Sequence, residues 1–214
     1  MLGCLLVVAV GVLGTGRLPV PWRLAPVAAS RAADPPAPSA SAPSATPDQA
    51  LAQARAIVAA AAAPTRLLVP SINVNATVEQ VGMDPQGRMG VPSQASNVAW
   101  FKLGAAPGDV GNAVIAGHLD WTNGPAVFWY LGRVHRGDAI TVVRADGSTA
   151  KFVTDSSATV PYNESTDSLF TIDGPPSLTL ITCAGAWDRA RNTYLQRLVV
   201  HATLVATTAP TPGS

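Results

Sequence analysis

The chain has 214 residues, a formal net charge of +1 and 48% hydrophobic residues. This length accommodates one folded domain with appendages, and the hydrophobic content excludes a chain that is disordered throughout. The near-neutral charge, without a run of basic residues interleaved with aromatic ones, argues against nucleic acid as a partner. A polyanionic partner is therefore not expected.

The N-terminal part differs in composition from the rest. Residues 1–22 are predicted to be an N-terminal hydrophobic anchor or signal segment, although the uncharged apolar run of residues 1–16 is shorter than the roughly 20 residues of a spanning helix. Small residues at Val27-Ala28-Ala29 provide a cleavage site, so both a cleaved signal peptide and a retained anchor fit the sequence. Residues 23–64 are rich in Ala, Pro and Ser and are predicted to form a linker.

From Thr65 onwards, short β-type runs alternate with turn signals, and residues 206–214, rich in Thr, Pro and Ala, are predicted to be a flexible tail. The predicted strands are 66–69, 72–78, 112–116, 139–143, 149–154, 178–182 and 194–204. Asp146-Gly147 should turn a hairpin, residues 126–134 have helical length, and residues 162–170 read as a polar loop. Many short strands with one or two short helices indicate an all-β barrel or sandwich.

Cys183 follows the apolar run 178–182 and opens into the small residues Ala184-Gly185-Ala186. The other cysteine, Cys4, lies in the N-terminal apolar segment, so we do not expect the two to form a disulfide. A buried cysteine is most often a small hydrophobic residue. A cysteine beside small residues, where a substrate carbonyl has room, also suits a nucleophile if a nearby base favours the thiolate.

His118 is the candidate base, because it closes a buried strand directly after Gly117. The structural alternative is a turn histidine that hydrogen-bonds Asp120. His135 reads as a solvated loop residue. His201 is the competitor, but it stands four residues beyond the next candidate, Arg197, on the same predicted strand, or roughly 13 Å at the usual rise.

Arg197 interrupts an otherwise apolar predicted strand. An unpaired buried charge is costly, so this guanidinium must find a partner. Asp120 or Asp188 is the structural choice. Alternatively, its fork of donors holds the substrate backbone or the oxyanion of an acyl-transfer intermediate. Spacing alone leaves both roles open.

Four pieces of sequence, in this order and spacing, carry a family resemblance: A-V-I-A-G-H at 113–118, G-P-A-V-F at 124–128, L-I-T-C-A-G-A-W-D at 180–188 and Y-x-x-x-x-V-V-x-A at 194–202. Over residues 65–205 the chain resembles the class F sortases of actinobacteria. The resemblance implies an eight-stranded closed β-barrel as the catalytic domain, tethered to the cell membrane by the N-terminal segment and facing the extracellular side.

The resemblance also implies a Cys–His–Arg transpeptidase that cuts a Leu-Pro-x-Thr-Gly-like sorting signal between Thr and Gly. Cys183 would attack the carbonyl to form a thioacyl enzyme, His118 would protonate the leaving amine, and Arg197 would stabilise developing charge. In the class F pattern the arginine often follows the tyrosine directly, where this chain has Leu195. Alternation along a strand keeps Arg197 on the face of Leu195, while Arg189 and Arg191 remain alternatives.

The implied partners are surface proteins with a C-terminal sorting signal and an amine acceptor from peptidoglycan or pilin, with the enzyme a monomer. No cofactor or metal site is expected, since no histidine or cysteine pair stands at ligand spacing. L,D-transpeptidases and papain-like proteases fit less well, because the residues around Cys183 lack the signature of the first and the helix of the second. The alternative to an enzyme is an exported β-barrel binding module with a passive thiol.

Overall fold

The computed structural model describes Asp48 and residues 63–210. The predicted segment 1–22, the linker up to residue 62 apart from Asp48, and residues 211–214 lie outside the described residues. The assignment of those segments therefore stays a prediction. Among the residues described, no helix combines the length and the apolar character needed to cross a membrane.

The described part is built from β-strands. They are β1 (Pro64–Val69), β2 (Val74–Val81), β3 (Val98–Phe101), β4 (Asn112–Gly117), β5 (Asp120–Trp121), β6 (Gly124–Pro125), β7 (Ala139–Arg144), β8 (Thr149–Pro161), β9 (Ser177–Asp188) and β10 (Thr193–Thr208). Eight of them close a barrel in the order β1-β2-β3-β4-β9-β10-β8-β7, and β5 and β6 pair separately. The predicted all-β, eight-stranded closed barrel is confirmed.

Two contacts in this barrel are parallel, β2 with β3 and β4 with β9. Strand β10 pairs antiparallel with β9 on one side and β8 on the other. The predicted hairpin is present between β7 and β8. Gly147 turns it with φ +80° and donates its N–H to the Arg144 carbonyl at 3.0 Å.

Apolar side chains pack on both sides of the barrel wall. Alternate residues of β4 and β9, such as Ile115 and Leu180, fill the interior. The residues between them face outward and are covered by loops, which explains why every residue of β4 is buried. We call this second layer the outer cluster; it consists of Met89, Phe101, Val114, Ala116 and Ile181, packed with Val81, Val91, Leu169, Phe170 and Val199.

The predicted helix over 126–134 is wrong. The segment forms successive turns, and only Leu131–Arg133 is a 3-10 helix. Its N–H groups bond three residues back instead of the four of an α-helix, as in Trp129 to Ala126 O and Leu131 to Phe128 O, both at 3.0 Å. The start of the segment is held by the surroundings, because Val127 donates to Ala95 O at 2.9 Å and Phe128 to His118 O at 3.0 Å. Two further 3-10 helices, Pro70–Ile72 and Asp167–Phe170, complete the helical content of the described residues.

Strands β9 and β10 are longer than predicted. The run after Cys183 is not a loop but continues β9 to Asp188, and β10 reaches Thr208, three residues into the predicted tail. Ladder pairing sustains both extensions, with Trp187 opposite Tyr194 and Thr208 opposite Thr149. The hairpin arm beyond Cys183 is therefore ordered.

Candidate active site

The three residues predicted from the sequence lie on adjacent strands. Cys183 on β9 is directly opposite Arg197 on β10. In the parallel pair of β4 and β9, Ala116 is opposite Ile181, and two further residues along each chain come His118 and Cys183. The structure thus brings His118, Cys183 and Arg197 together in one row across β4, β9 and β10.

All three side chains continue the outer face of the barrel. Ala116 and Ile181 belong to the outer cluster, and Val199 packs against it. They stand two residues away from His118, Cys183 and Arg197 respectively, so the side chains of the site lie on the same face as the cluster. The exposed fractions of His118, Cys183 and Arg197 are 3%, 2% and 1%. Thr182 ties the two strands together here, because its hydroxyl donates to the Gly117 carbonyl at 2.8 Å.

The other cysteine, Cys4, lies outside the described residues, so the expectation that the two cysteines form no disulfide stays a prediction. Because the thiolate is the nucleophile and a disulfide sulfur is not, acyl transfer at this site requires the reduced form of Cys183. Any assay of the site must therefore control the redox state.

His118 is held from two directions. Its Nε2 lies 2.9 Å from the Pro92 carbonyl oxygen, and since a carbonyl can only accept, Nε2 carries the proton. Its ring meets the Trp121 ring edge to face, with centroids 4.6 Å apart. Nδ1 is then the ring nitrogen that exchanges a proton with a reacting group. The hydrogen-bond partner of His118 is a backbone carbonyl and not Asp120, which was the structural alternative.

The Arg197 guanidinium turns back along its own strand. Nη1 donates to Tyr194 O at 2.9 Å and Gln196 O at 2.8 Å, and Nη2 donates to the Thr193 hydroxyl at 3.3 Å. The ladder between β9 and β10 shifts register between Tyr194 and Gln196. Arg197 therefore satisfies carbonyls that this irregularity withdraws from the regular ladder.

The irregularity lies on β9, where Gly185 and Ala186 stand opposite the single residue Leu195 of β10. Gly185 has φ +78°, and a Cβ there would approach Gln196 Oε1 to 2.5 Å. Strand β10 itself keeps a continuous register with β8 from Gln196 to His201. A bulge of β9 thus lies next to the site, where Leu195 is 39% exposed and Arg197 is buried.

Burial lowers the pKa of Arg197 to about 10, although the electrostatic interaction with the nearby Tyr162 opposes part of that decrease. Its guanidinium carbon stands 6.0 Å from the centre of the Tyr162 ring. Arg197 is still a cation at neutral pH, because that pKa lies well above 7. A buried cation beside Cys183 favours the anionic form of the thiol when it is reduced.

The two carboxylates predicted as structural partners of Arg197 have other hydrogen-bond donors. Asp120 accepts from the Tyr194 hydroxyl at 2.6 Å, and Asp188 accepts from Arg191 Nη1 at 2.5 Å. Burial, and then the hydrogen bond to Asp120, raise the pKa of Tyr194 to about 12. Tyr194 thereby joins β10 to the turn that follows His118.

The competing candidates lie away from the row. Arg189 and Arg191 are exposed, and His135 is an exposed loop residue. His201 Nδ1 lies 3.2 Å from Asp155, and both side chains are 41% exposed. The described part of the structure therefore places only one of the candidate histidines and one of the candidate arginines beside Cys183.

Several residues of the site were not predicted from the sequence. Pro92, which accepts the His118 hydrogen bond, lies in a loop before β3, and no local pattern marks its carbonyl. Trp121 and Tyr194 were visible only as aromatic residues, and their contacts with His118 and Asp120 come from the fold. The G-H-x-D spacing of Gly117 to Asp120 was the one available signal for a polar turn here.

Comparison with known proteins identifies the family of the chain. A family model described as the sortase domain matches residues 67–205, well over half of the chain. Sortase C-1 from Actinomyces oris is 26% identical, with 66% of this chain and 73% of that chain covered and a TM-score of 0.52. No match was found among curated proteins.

Two sortase A structures are also similar. The lid mutant from Corynebacterium diphtheriae is 26% identical over 66% of this chain and 69% of that chain, with a TM-score of 0.51. Listeria monocytogenes sortase A is 20% identical over 70% of this chain and 92% of that chain, with a TM-score of 0.55, and this likeness shows the fold alone. The chain therefore belongs to the sortase family of cell-surface cysteine transpeptidases.

Proposed function

We propose that this sortase cleaves a Leu-Pro-x-Thr-Gly-like sorting signal between Thr and Gly, with Cys183 as nucleophile, His118 as acid and base, and Arg197 as electrostatic support. The observation that carries the proposal is the row across three strands. Arg197 is paired directly with Cys183, and the β4–β9 register leads to His118 on the other side. Nucleophile, proton carrier and cation are what acyl transfer from a peptide requires.

The first half-reaction makes the thioacyl enzyme. The Cys183 thiolate attacks the Thr carbonyl carbon, and the C–N bond to Gly breaks. The proton on Nδ1 of a His118 imidazolium passes to the leaving amine, which keeps the electron pair of the broken bond. In the second half-reaction an incoming amine attacks the thioester, gives its proton to His118 and releases the thiolate.

Arg197 has two roles that the geometry allows. Its donors already satisfy the Tyr194 and Gln196 carbonyls, so contact with a substrate oxygen means exchanging at least one of these bonds. A guanidinium that does so stabilises the oxyanion and is worth on the order of 10²-fold in rate. If Arg197 instead keeps both of these bonds, its role is structural, and it stabilises the backbone beside the bulge.

The remaining assignments rest on the resemblance in sequence. We place the protein in class F, of actinobacterial type, anchored in the cell membrane by residues 1–22 with the barrel, residues 65–205, on the extracellular face. Surface proteins with a sorting signal are the acyl donors, and an amine of peptidoglycan or pilin is the acceptor. The enzyme acts as a monomer without cofactor or metal.

The test is intact-protein mass spectrometry on the full chain, with and without a reductant. A Leu-Pro-x-Thr-Gly peptide should leave an acyl adduct on reduced wild-type protein, removed by hydroxylamine and absent from Cys183→Ala. Absence of adduct and cleavage across several motif variants, on protein shown to be reduced, would contradict the proposal and favour a binding module with a passive thiol.

Matched variants test the other two residues. Arg197→Ala should lower acylation by about 10²-fold, while Arg191→Ala, which removes an exposed guanidinium from the same hairpin, should leave it unchanged. His118→Ala should abolish turnover, while His201→Gln should not. If Arg191→Ala lowers acylation as much as Arg197→Ala does, the role of Arg197 is refuted. If His201→Gln abolishes turnover as His118→Ala does, the role of His118 is refuted.

A further inference from the structure

Glu79 on β2 is a carboxylate that the proposed mechanism does not use. It accepts the Ser93 N–H at Oε2 (2.9 Å), the Ser93 hydroxyl at Oε1 (3.0 Å) and the Asn97 side-chain amide at Oε1 (2.8 Å). Burial raises its pKa, but the hydrogen bonds from Asn97 and Ser93 outweigh that effect and hold the pKa below its ordinary value. Glu79 is therefore an anion at neutral pH.

The carbonyl of Pro92 and the N–H of Ser93 belong to one planar peptide group. The oxygen of that group accepts from His118 Nε2 at 2.9 Å, and its nitrogen donates to Glu79 Oε2 at 2.9 Å. The imidazole and the carboxylate therefore bond to opposite ends of the same amide. Pro92 is buried and His118 is 3% exposed, so water competes little for the His118 end.

An anion at the N–H of an amide polarises the group and strengthens its oxygen as an acceptor, by about 10–30% per bond in a hydrogen-bonded chain. A stronger acceptor fixes the proton on Nε2 and favours the protonated imidazole that the leaving amine needs. It also fixes the ring plane. The arrangement resembles a histidine–carboxylate pair with a peptide group inserted between its members.

We propose that Glu79 is a positioning residue, which acts through the Pro92–Ser93 peptide to hold the Nε2–H tautomer and orientation of His118. The role in turnover rests on the proposed function, whereas the hydrogen-bond relay itself does not. The proton stays on Nε2, and no bond other than hydrogen bonds changes. The other titratable groups on elements around His118 are Cys183, Arg197 and Asp120, the last bonded to Tyr194.

The primary test is the Nε2–H resonance of His118 in NMR spectra of the full chain. Only three histidines are present, so His135→Gln and His201→Gln assign the third by elimination. In Glu79→Gln the Nε2–H signal should move upfield, and its exchange with solvent should accelerate by at least roughly threefold, because the acceptor weakens. If the signal stays as in wild type, the relay is refuted.

Two control variants separate the relay from loop stability. Asp84→Asn removes another carboxylate that accepts two backbone N–H groups, from Gln86 and Arg88, in the turn after β2. Ser93→Ala removes one hydrogen bond to Glu79 but keeps the amide N–H. Both should leave the His118 signal in place, and a shift as large as that of Glu79→Gln in either would overturn the proposal.

A measurement without substitution keeps the proposal testable if Glu79→Gln does not fold. On acidifying the wild-type chain, the His118 Nε2–H signal should change along with the carboxyl carbon signal of Glu79. Independence of the two signals would contradict the relay.

Activity provides the final readout. Carboxylates that orient a functional histidine from behind are typically worth 10–100-fold, so Glu79→Gln should lower kcat/KM for peptide cleavage by about tenfold, mainly through kcat. A normal rate in this variant would refute the role in turnover. If wild-type protein itself does not cleave, the proposed function fails while the NMR result still decides the relay.

Discussion

Replacing Gly117 by alanine should destabilise the barrel at the residue that precedes His118. A Cβ at Gly117 would lie 2.4 Å from Cδ2 and 2.8 Å from Cε2 of Phe128, whereas carbon atoms in contact are normally about 3.5–4.0 Å apart. The backbone does not oppose alanine here, since the φ of Gly117 is not positive. The strain is therefore entirely a matter of packing.

The cost follows from the burial of Phe128, which has 0% exposure and belongs to the interior layer. Its ring must shift by more than roughly 1 Å within a packed core, and overpacking of this kind costs about 1–3 kcal/mol. At about 2 kcal/mol the Tm of a chain of this size falls by roughly 4–8 °C. The Phe128 N–H to His118 carbonyl bond would be disturbed as well.

The assay is urea unfolding of the full chain followed by circular dichroism, as a double-mutant cycle with Phe128→Leu. In the Phe128→Leu background, the alanine should cost less than about half of its wild-type penalty, because the clashing ring atoms are gone. Gly132→Ala is the matched control, since a Cβ there would lie at the ordinary contact distance of 3.6 Å from Leu198 Cδ2. Equal penalties in both backgrounds, or a penalty at Gly132 as large as at Gly117, would refute the reasoning.

Three further outcomes are expected. Tyr194 should ionise near pH 12, read as the difference in tyrosinate absorbance between wild type and Tyr194→Phe. Because the pKa of Tyr194 is higher in the folded than in the unfolded chain, the stability that this residue contributes is present below pH 10 and is lost as pH rises towards 12. Asp120→Asn should lower the pKa of Tyr194. An unchanged pKa in that variant would count against the hydrogen bond between the two residues. Gly185→Ala should lower the free energy of unfolding by about 1–2 kcal/mol, because alanine is disfavoured at the positive φ of this residue. Thermal unfolding measures the change, and no loss of stability would show that the bulge changes its conformation to accept alanine. Asn112→Ala should loosen the 3-10 helix Asp167–Phe170, which Asn112 holds through Leu169 O at 2.6 Å. Amide hydrogen exchange in that segment should become faster, and unchanged exchange would contradict this role of Asn112.

The sequence by itself determined the class of fold and the principal residues of the site. Period-2 and apolar runs, with Gly147 at the hairpin turn, predicted an all-β barrel because strand pleating and turn chemistry are local properties. The resemblance named Cys183, His118 and Arg197, and the strand register places these three side by side. Local patterns marked the three only as candidates, because each is a reactive or polar residue at the end of, or within, an apolar predicted strand, and the resemblance assigned their roles.

Only the tertiary structure decided how those residues are held. The segment 126–134 had the length of a helix but forms turns, because its N–H groups bond three residues back rather than four. The bulge of β9 at Gly185, beside Arg197, arises from the pairing of two strands and has no local signal in the sequence. Pro92 and Glu79 reach His118 through a loop far away in the chain, and hydrogen bonds between such distant segments exist only once the barrel has closed.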